Sequence, residues 1–183
     1  MRRKNTTKQM MKEYISESLL LLMSEKKYGD ISISEITERA GVNRSTYYRN
    51  FSSKEEIVRF YIEQIMNGYL EEYETLNDKS FEGYLNILFE HFYSYKSSLL
   101  TIYHNDLSYL ILEVLNSIFA KRQSQKLRNQ KEQFRMFYHM GGIYNFFILW
   151  FSHGMEETPE ELTKISVEMF HGHAKPVLLD FSN

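Results

Sequence analysis

Apolar residues recur at helical spacing along almost the whole chain, and in one short segment they nearly vanish. Met11, Ile15, Leu19, Leu22 and Met23 make one apolar face. They predict a first helix starting near Thr6 or Thr7 and ending around "EKKYGD", where Gly29 permits a turn. "SISE" follows: Ser32 can cap and Glu35 can reach back, a capping box that opens a short second helix with Ile33, Ile36 and Ala40 on its buried side. "SSKEE" repeats the device with Ser53 and Glu56. Ile57, Tyr61, Ile65 and Tyr69 then recur every four residues down a long helix.

Between the two caps lies "GVNRSTYYRNF", residues 41–51. Val42, Tyr47 and Phe51 can face inward together. Asn43, Arg44, Ser45, Thr46, Tyr48, Arg49 and Asn50 are left outside, and all of them donate or accept hydrogen bonds. Such a face packs poorly but can read DNA: a helix in the major groove must aim polar side chains at base edges and phosphates while its apolar side stays fixed to a scaffold. A polar surface helix without a partner is the other reading of the same residues.

The pattern stays helical after Tyr69. "SFEGYLNILFEHFYSYK" sets Tyr84, Leu88, Phe92 and Tyr95 on one face, and "SLLTIYHND" is a short piece in which Asn105 or Asp106 can cap the next helix. A break is expected within the polar run "AKRQSQKLRNQKEQ". The helix from about Glu132 to His153 is apolar on more than one side, so it must be covered on more than one side. That points to a second subunit, with Tyr144, Phe147, Trp150 and Phe151 as candidate interface residues. A larger core within a monomer is the alternative. Gly141 and Gly142 lower helix propensity, which a close approach would explain. Gly154 ends this helix, and Thr158-Pro159-Glu160-Glu161 starts the next.

Composition narrows the function. With 8 Gly and 2 Pro in 183 residues, the chain lacks the punctuation of a many-turned β fold. It has no Cys, which excludes disulfides and thiolate chemistry and fits a cytoplasmic protein. The longest apolar run, "GGIYNFFILWF", is about half of what a membrane span needs. The net charge of −2 hides an asymmetry: residues 1–60 hold 12 Lys and Arg against 8 Asp and Glu, and residues 61–183 hold 10 against 16. A basic end on an acidic body suits a polyanion.

"ISISEITERAGVNRSTYYRNFSSKEEIVRFY" resembles the helix-turn-helix of TetR/AcrR-type transcriptional regulators, across roughly residues 10–62. The resemblance implies an all-α protein: a three-helix DNA-binding domain over 1–52, then a helical effector-binding and dimerisation domain over 53–183, with helix four (about 53–74) as connector. It implies recognition-helix contacts from Arg44, Ser45, Thr46, Tyr48, Arg49 and Asn50. Phosphate contacts would come from Ser32, Ser34 and Lys54. Arg49 and Asn50 replace the aromatic and His common in the family, which leaves the operator sequence open. "GGIYNFFILWFSHGMEETPEEL" is similar to the closing helices of a subset that includes regulators of dihydroxyacetone kinase genes.

Other candidate chemistry is weaker. His139, His153, His171 and His173 invite a metal reading, but on a helix His171 and His173 would point to different sides, the chain has no Cys, and no metal or cofactor is expected. Asp106 and Glu113 read as a solvated face. No nucleophile elbow or phosphate loop appears, so no enzyme is expected. Tyr93, Tyr103 and Tyr138 are candidate walls of a ligand cavity for a small apolar or aromatic-compatible effector. The expected function is a homodimeric repressor on an inverted-repeat operator in double-stranded DNA, relieved by that effector. A regulator controlled by a protein partner docked on the C-terminal domain is the alternative.

Overall fold

The computed structural model describes residues 2–123 and 130–170. Among these residues every regular element is helical: α1 Arg2–Glu25, α2 Ile33–Arg39, α3 Arg44–Asn50, α4 Lys54–Thr75, α5 Phe81–Ser94, α6 Lys96–His104, α7 Tyr109–Gln123, α8 Gln130–Ser152 and α9 Pro159–Phe170. A single 3-10 turn, Tyr28–Asp30, joins α1 to α2. Helix α1 begins at Arg2, before the expected start at Thr6 or Thr7. The break expected in the polar run falls at residues 124–129, outside the described residues. No described helix is long and apolar enough to cross a membrane.

Local chemistry sets the boundaries. The Ser32–Glu35 capping box forms as expected: the Ser32 hydroxyl accepts from the Glu35 amide, and the Glu35 carboxylate accepts from the Ser32 amide at 2.9 Å. At α4 the device is divided. Ser53 caps the Glu56 amide, but the Glu56 carboxylate accepts from the Ser52 amide and hydroxyl, both at 2.7 Å. Thr158 and Glu161 cap each other at α9. Asn105 and Asp106 differ from expectation, since they end α6 instead of capping α7. Asp106 has φ of 60°, its amide donates to Tyr103 and the Leu107 amide to Ile102, so the pair closes α6 in a Schellman turn.

The core is one continuous cluster. Ile15, Leu19, Ile36, Tyr47, Phe51 and Ile57 fix the first three helices to the start of α4, and the cluster continues along α4 into the C-terminal half. Helix α4 packs against α1, α5 and α7, while α9 lies along α5 and α8 packs on α7 and α6. At the α4–α5 crossing, Gly68 faces His91. A Cβ at Gly68 would lie 3.1 Å from the imidazole Cε1. The buried ring donates from Nε2 to the Ile65 carbonyl at 2.8 Å, and its Nδ1 is 3.0 Å from the Glu72 carboxylate.

Polar ties join the two halves. Asn105 accepts from the Tyr28 amide at 2.9 Å and donates to the carbonyls of Met23 and Thr101. Arg59 pairs with Glu113 at 2.5 Å, and the Tyr61 hydroxyl donates to Ser98 at 2.9 Å. At the other end of α6, Lys96 donates to the Met155 carbonyl at 2.7 Å, in the turn after α8.

Three of the four expected interface residues prove to be core of the chain's own fold. Phe147, Trp150 and Phe151 are at most 2% exposed, and only Tyr144 is half-buried. Phe147 stacks on Phe92 at 4.5 Å, Trp150 on Tyr93 at 5.9 Å, and the indole N–H donates to the Glu157 carbonyl at 3.1 Å. The sequence pattern contains two apolar sides of α8, and the side holding Phe147, Trp150 and Phe151 is the inner one. The outward stripe is Phe134, Tyr138, Gly142, Asn145 and Leu149, with Phe134 69% and Tyr138 86% exposed. Trp150→Ala should therefore act as a core cavity, costing about 3–5 kcal/mol. Denaturant unfolding at two protein concentrations checks it: the loss should be the same at both, whereas an interface residue would give a loss that grows on dilution.

Candidate nucleic-acid interface

The α2–α3 pair is held by a turn that only certain residues can make. Gly41 has φ of +63°, and the Val42 and Gly41 amides donate to Thr37 and Glu38, which closes α2 in a Schellman motif. Helix α3 is then anchored from beneath. Tyr47 and Phe51 are buried, and Phe51 packs edge-on against Phe60 of α4 at 5.8 Å. The Lys12 ammonium covers Phe51 and Phe60 from α1, 4.9 and 4.6 Å from their ring centres. Burial also pushes the Tyr47 hydroxyl up from its ordinary range and leaves it without a hydrogen-bond partner.

The opposite side of α3 is open. Arg44, Ser45, Tyr48 and Arg49 are exposed, Tyr48 by 64%, and Thr46 is half-buried. The Arg44 guanidinium bonds the Ser34 hydroxyl, which brings α2 and α3 together on one surface. Arg49 lies back on its own helix, donating to the Ser45 carbonyl at 3.2 Å and to the Thr46 hydroxyl at 3.0 Å. Both arginines thus bond neutral groups, while the neighbouring cations are paired: Lys26 with Glu35, and Arg39 with Glu25 at 2.7 Å. A guanidinium on a neutral acceptor keeps its charge available to a phosphate or to guanine.

Two of the expected contact residues are placed differently. Asn50 is half-buried and donates to the Thr46 carbonyl at 2.7 Å, and its buried amide oxygen has no partner. Lys54 is not a free phosphate clamp. It is half-buried, its ammonium donates to the Tyr28 and Ile31 carbonyls, both at 2.7 Å, and it sits 4.4 Å over the Tyr28 ring. Burial lowers its pKa from the ordinary lysine value. Its position at the first turn of α4 was legible; that two loop carbonyls would fold onto it was not. Ser32 is exposed, with its hydroxyl in the capping box.

A cavity of about 480 Å³ lies between α5, α8 and α9. Of the three tyrosines expected to line it, only Tyr138 does so. Tyr93 stacks on Trp150 and Tyr103 packs edge-on against Phe151, which makes them part of the aromatic core. Sequence reasoning missed Phe89, Phe137, His139 and Phe146 on its walls. The available signal was the Gly141–Gly142 pair. A Cβ at either would meet nothing within 4 Å, so the space over both is open, and both border the cavity. Two glycines inside a helix cost roughly 1 kcal/mol each, and here they keep a space open.

No cluster of His, Asp and Glu among the described residues could hold a metal. His153 pairs with Glu157 at 2.6 Å, and His171 and His173 lie outside the described residues.

Residues 19–59, from the buried face of α1 to the first turns of α4, match the family model of the bacterial regulatory proteins of the tetR family. The chain carries a TetR-type DNA-binding domain. Solved structures extend the likeness in fold beyond it, over most of the chain. The dihydroxyacetone kinase operon activator DhaS superposes with a TM-score of 0.58 at 19% identity, covering 88% of this chain and 94% of that one. FadR of Thermus thermophilus, a TetR family transcriptional repressor solved with lauroyl-CoA, gives 0.52 at 19% identity, covering 90% and 95%. No curated protein matches the sequence. The helix-turn-helix followed by a helical C-terminal half is therefore the architecture of TetR-type regulators.

Two outcomes check the TetR-type surface. Lys54→Met should destabilise the protein by about 1–3 kcal/mol, because two carbonyls lose their donor, whereas Tyr48→Phe should leave the melting temperature nearly unchanged. The second concerns acid. The Lys26 ammonium, then the Ser32 amide and hydroxyl, hold the Glu35 carboxyl down from 4.5 to about 2. The stabilisation from this ionised group is complete above pH 4.5 and is lost as the pH falls toward 2. In thermal melts across that window, Glu35→Gln should be less stable than wild type at pH 7, and the difference should shrink toward pH 2.

Proposed function

We propose that the protein is a homodimeric, sequence-specific DNA-binding regulator that represses transcription by occupying its operator. The single observation that carries the reading is α3, whose apolar side is locked down by Tyr47 and Phe51 while Arg44, Ser45, Tyr48 and Arg49 stand in solvent. Helix α3 lies in the major groove, Arg44 and Arg49 reach guanine edges or phosphates, and Ser32 and Ser34 approach the backbone from the start of α2. Asn50 and Lys54 act mainly as supports of that surface. Repression needs no further activity, since an occupied operator excludes other proteins. Of the two structural neighbours, DhaS is named an activator and FadR a repressor.

Two-fold symmetry of the protein selects an inverted repeat in double-stranded DNA. The outward stripe of α8, Phe134 to Leu149, supports dimerisation, together with exposed Ile165 and Met169 on α9. An exposed apolar stripe of this kind is usually an interaction surface. Residues 53–183 form the effector-binding and dimerisation domain, and α4 transmits the effector's presence to α3 by changing the spacing of the two recognition helices. The same stripe favours one other reading, in which a different protein docks there and controls DNA binding in place of a small molecule.

Sequencing the duplexes that the purified protein selects from a random pool gives the operator, which should be an inverted repeat. On it, Arg44→Ala should cost about 1–3 kcal/mol and relax preference at one base in each half-site. Leu149→Glu should yield a folded monomer in light scattering with operator affinity lowered about 10²–10⁴-fold, since the second reading head is no longer tethered. A selected site without two-fold symmetry, or a Leu149→Glu protein that still dimerises and binds as wild type, would falsify the dimer arrangement. A wild type that is monomeric alone and co-purifies with a second chain would favour the protein-partner reading.

A further inference from the structure

The cavity between α5, α8 and α9 has walls that specify a ligand chemistry. Phe81, Tyr84, Phe89, Phe137, Phe146 and Phe147 surround it with rings, and no Lys, Arg, Asp or Glu is among its described lining residues. The cavity opens beside Tyr138, which is 86% exposed, but a charged group seated among the inner rings would lose hydration without gaining a counter-charge. The volume of about 480 Å³ is in the range of small-molecule sites.

The polar side chains of the walls are Tyr84, Tyr138, His139, Asn145 and Ser166. The Asn145 amide already donates to the Gly141 carbonyl at 2.9 Å. His139 is different: its Nε2 is buried and has no hydrogen-bond partner. Burial also lowers its pKa from the ordinary histidine value, so the ring is neutral at pH 7. A neutral imidazole in an apolar wall offers one directional bond and no charge. Beside it, Gly141 and Gly142 leave room that any larger side chain would fill.

We infer that this cavity binds an uncharged aromatic molecule bearing one hydrogen-bonding group, such as an alkylphenol, with the rings of α5 and α8 around its apolar body and His139 bonded to its polar group. This names the effector class for the reading given above, and its regulatory meaning rests on that reading; the binding itself does not. The long thioester of the FadR complex has a different character, because its phosphates would find no cation on these walls.

The test uses the full chain and three probes of one shape: 4-propylphenol, 4-propylbenzoate and propylbenzene. Binding is followed by calorimetry and by emission of the sole tryptophan, Trp150, whose ring lies 5.8 Å from Phe89 and 6.2 Å from Phe147. The phenol should bind once per chain and the benzoate at least about tenfold more weakly, as expected for an unpaired charge moved out of water. His139→Phe should remove the phenol's advantage over propylbenzene without unfolding the protein. Gly141→Leu should fill the space and abolish binding, and Gly142→Leu serves the same purpose if that variant does not fold. Benzoate binding as tight as the phenol's, displacement of the phenol by equimolar lauroyl-CoA, a folded glycine variant that binds normally, or no phenol binding up to its solubility limit each overturns the inference. Titrating the selected operator in the presence of phenol separates the two readings: phenol held in the cavity with operator affinity unchanged leaves this site standing and removes the effector role.

Discussion

Helix α4 belongs to two packing arrangements at once, and the placement of everything else depends on it. Nine of its 22 residues are buried, with Ile57, Val58 and Phe60 toward the DNA-binding domain and Ile65, Met66, Tyr69, Leu70 and Tyr73 deeper in the C-terminal half. Each fully buried apolar side chain of this size contributes roughly 1.5–3 kcal/mol. Neither half can therefore release α4 without losing much of its own stability. The polar ties from Asn105, Glu113 and Ser98 add direction to that apolar grip, since each fixes one point of the C-terminal half to α4 or to the end of α1. Packed contacts run from α5 to α4, from α6 to α1, and from α1 to both α4 and α3.

The aromatic residues have two roles that their spacing does not distinguish. Phe147 stacks on Phe92, Phe151 and Trp150 at 4.5, 5.9 and 6.2 Å, and the four rings fill the centre of the C-terminal half. Phe137 and Tyr138 belong to the same helix but border the cavity from its N-terminal half, while Phe146 borders it and packs on Phe89 at 5.4 Å. One helix thus builds a packed core at its C-terminal end and an open wall toward its N-terminal end.

Legibility followed the range of the interactions involved. Helix starts at Ser32, Ser53 and Thr158 were readable because caps act within three or four residues. The buried and open sides of α3 were readable because helical period alone separates Tyr47 and Phe51 from Arg44 and Tyr48. What failed depended on distant partners. Nothing near Lys54 in sequence announces the Tyr28 and Ile31 carbonyls, and nothing near Trp150 announces Tyr93. The sequence around Asn105 suggests only a local cap, yet its amide also makes a long-range tie across 77 residues of sequence. The two apolar sides of α8 were detected, but choosing which faces the chain's own core requires knowing where α5 and α7 lie.

The close meeting of Gly68 and His91 has a consequence for how such a sequence can drift. A Cβ at position 68 presses on an imidazole already held by the Ile65 carbonyl and adjacent to Glu72, so a change there requires the ring to shift by a few tenths of an ångström or a smaller residue at 91. A smaller residue at 91 first would abandon the bond to Ile65 and open a void against α4. Single steps in either order are penalised, so the two positions should change hands together across relatives. At identities near 19%, such a linked glycine–histidine pair would be a usable register mark for aligning α4 against α5.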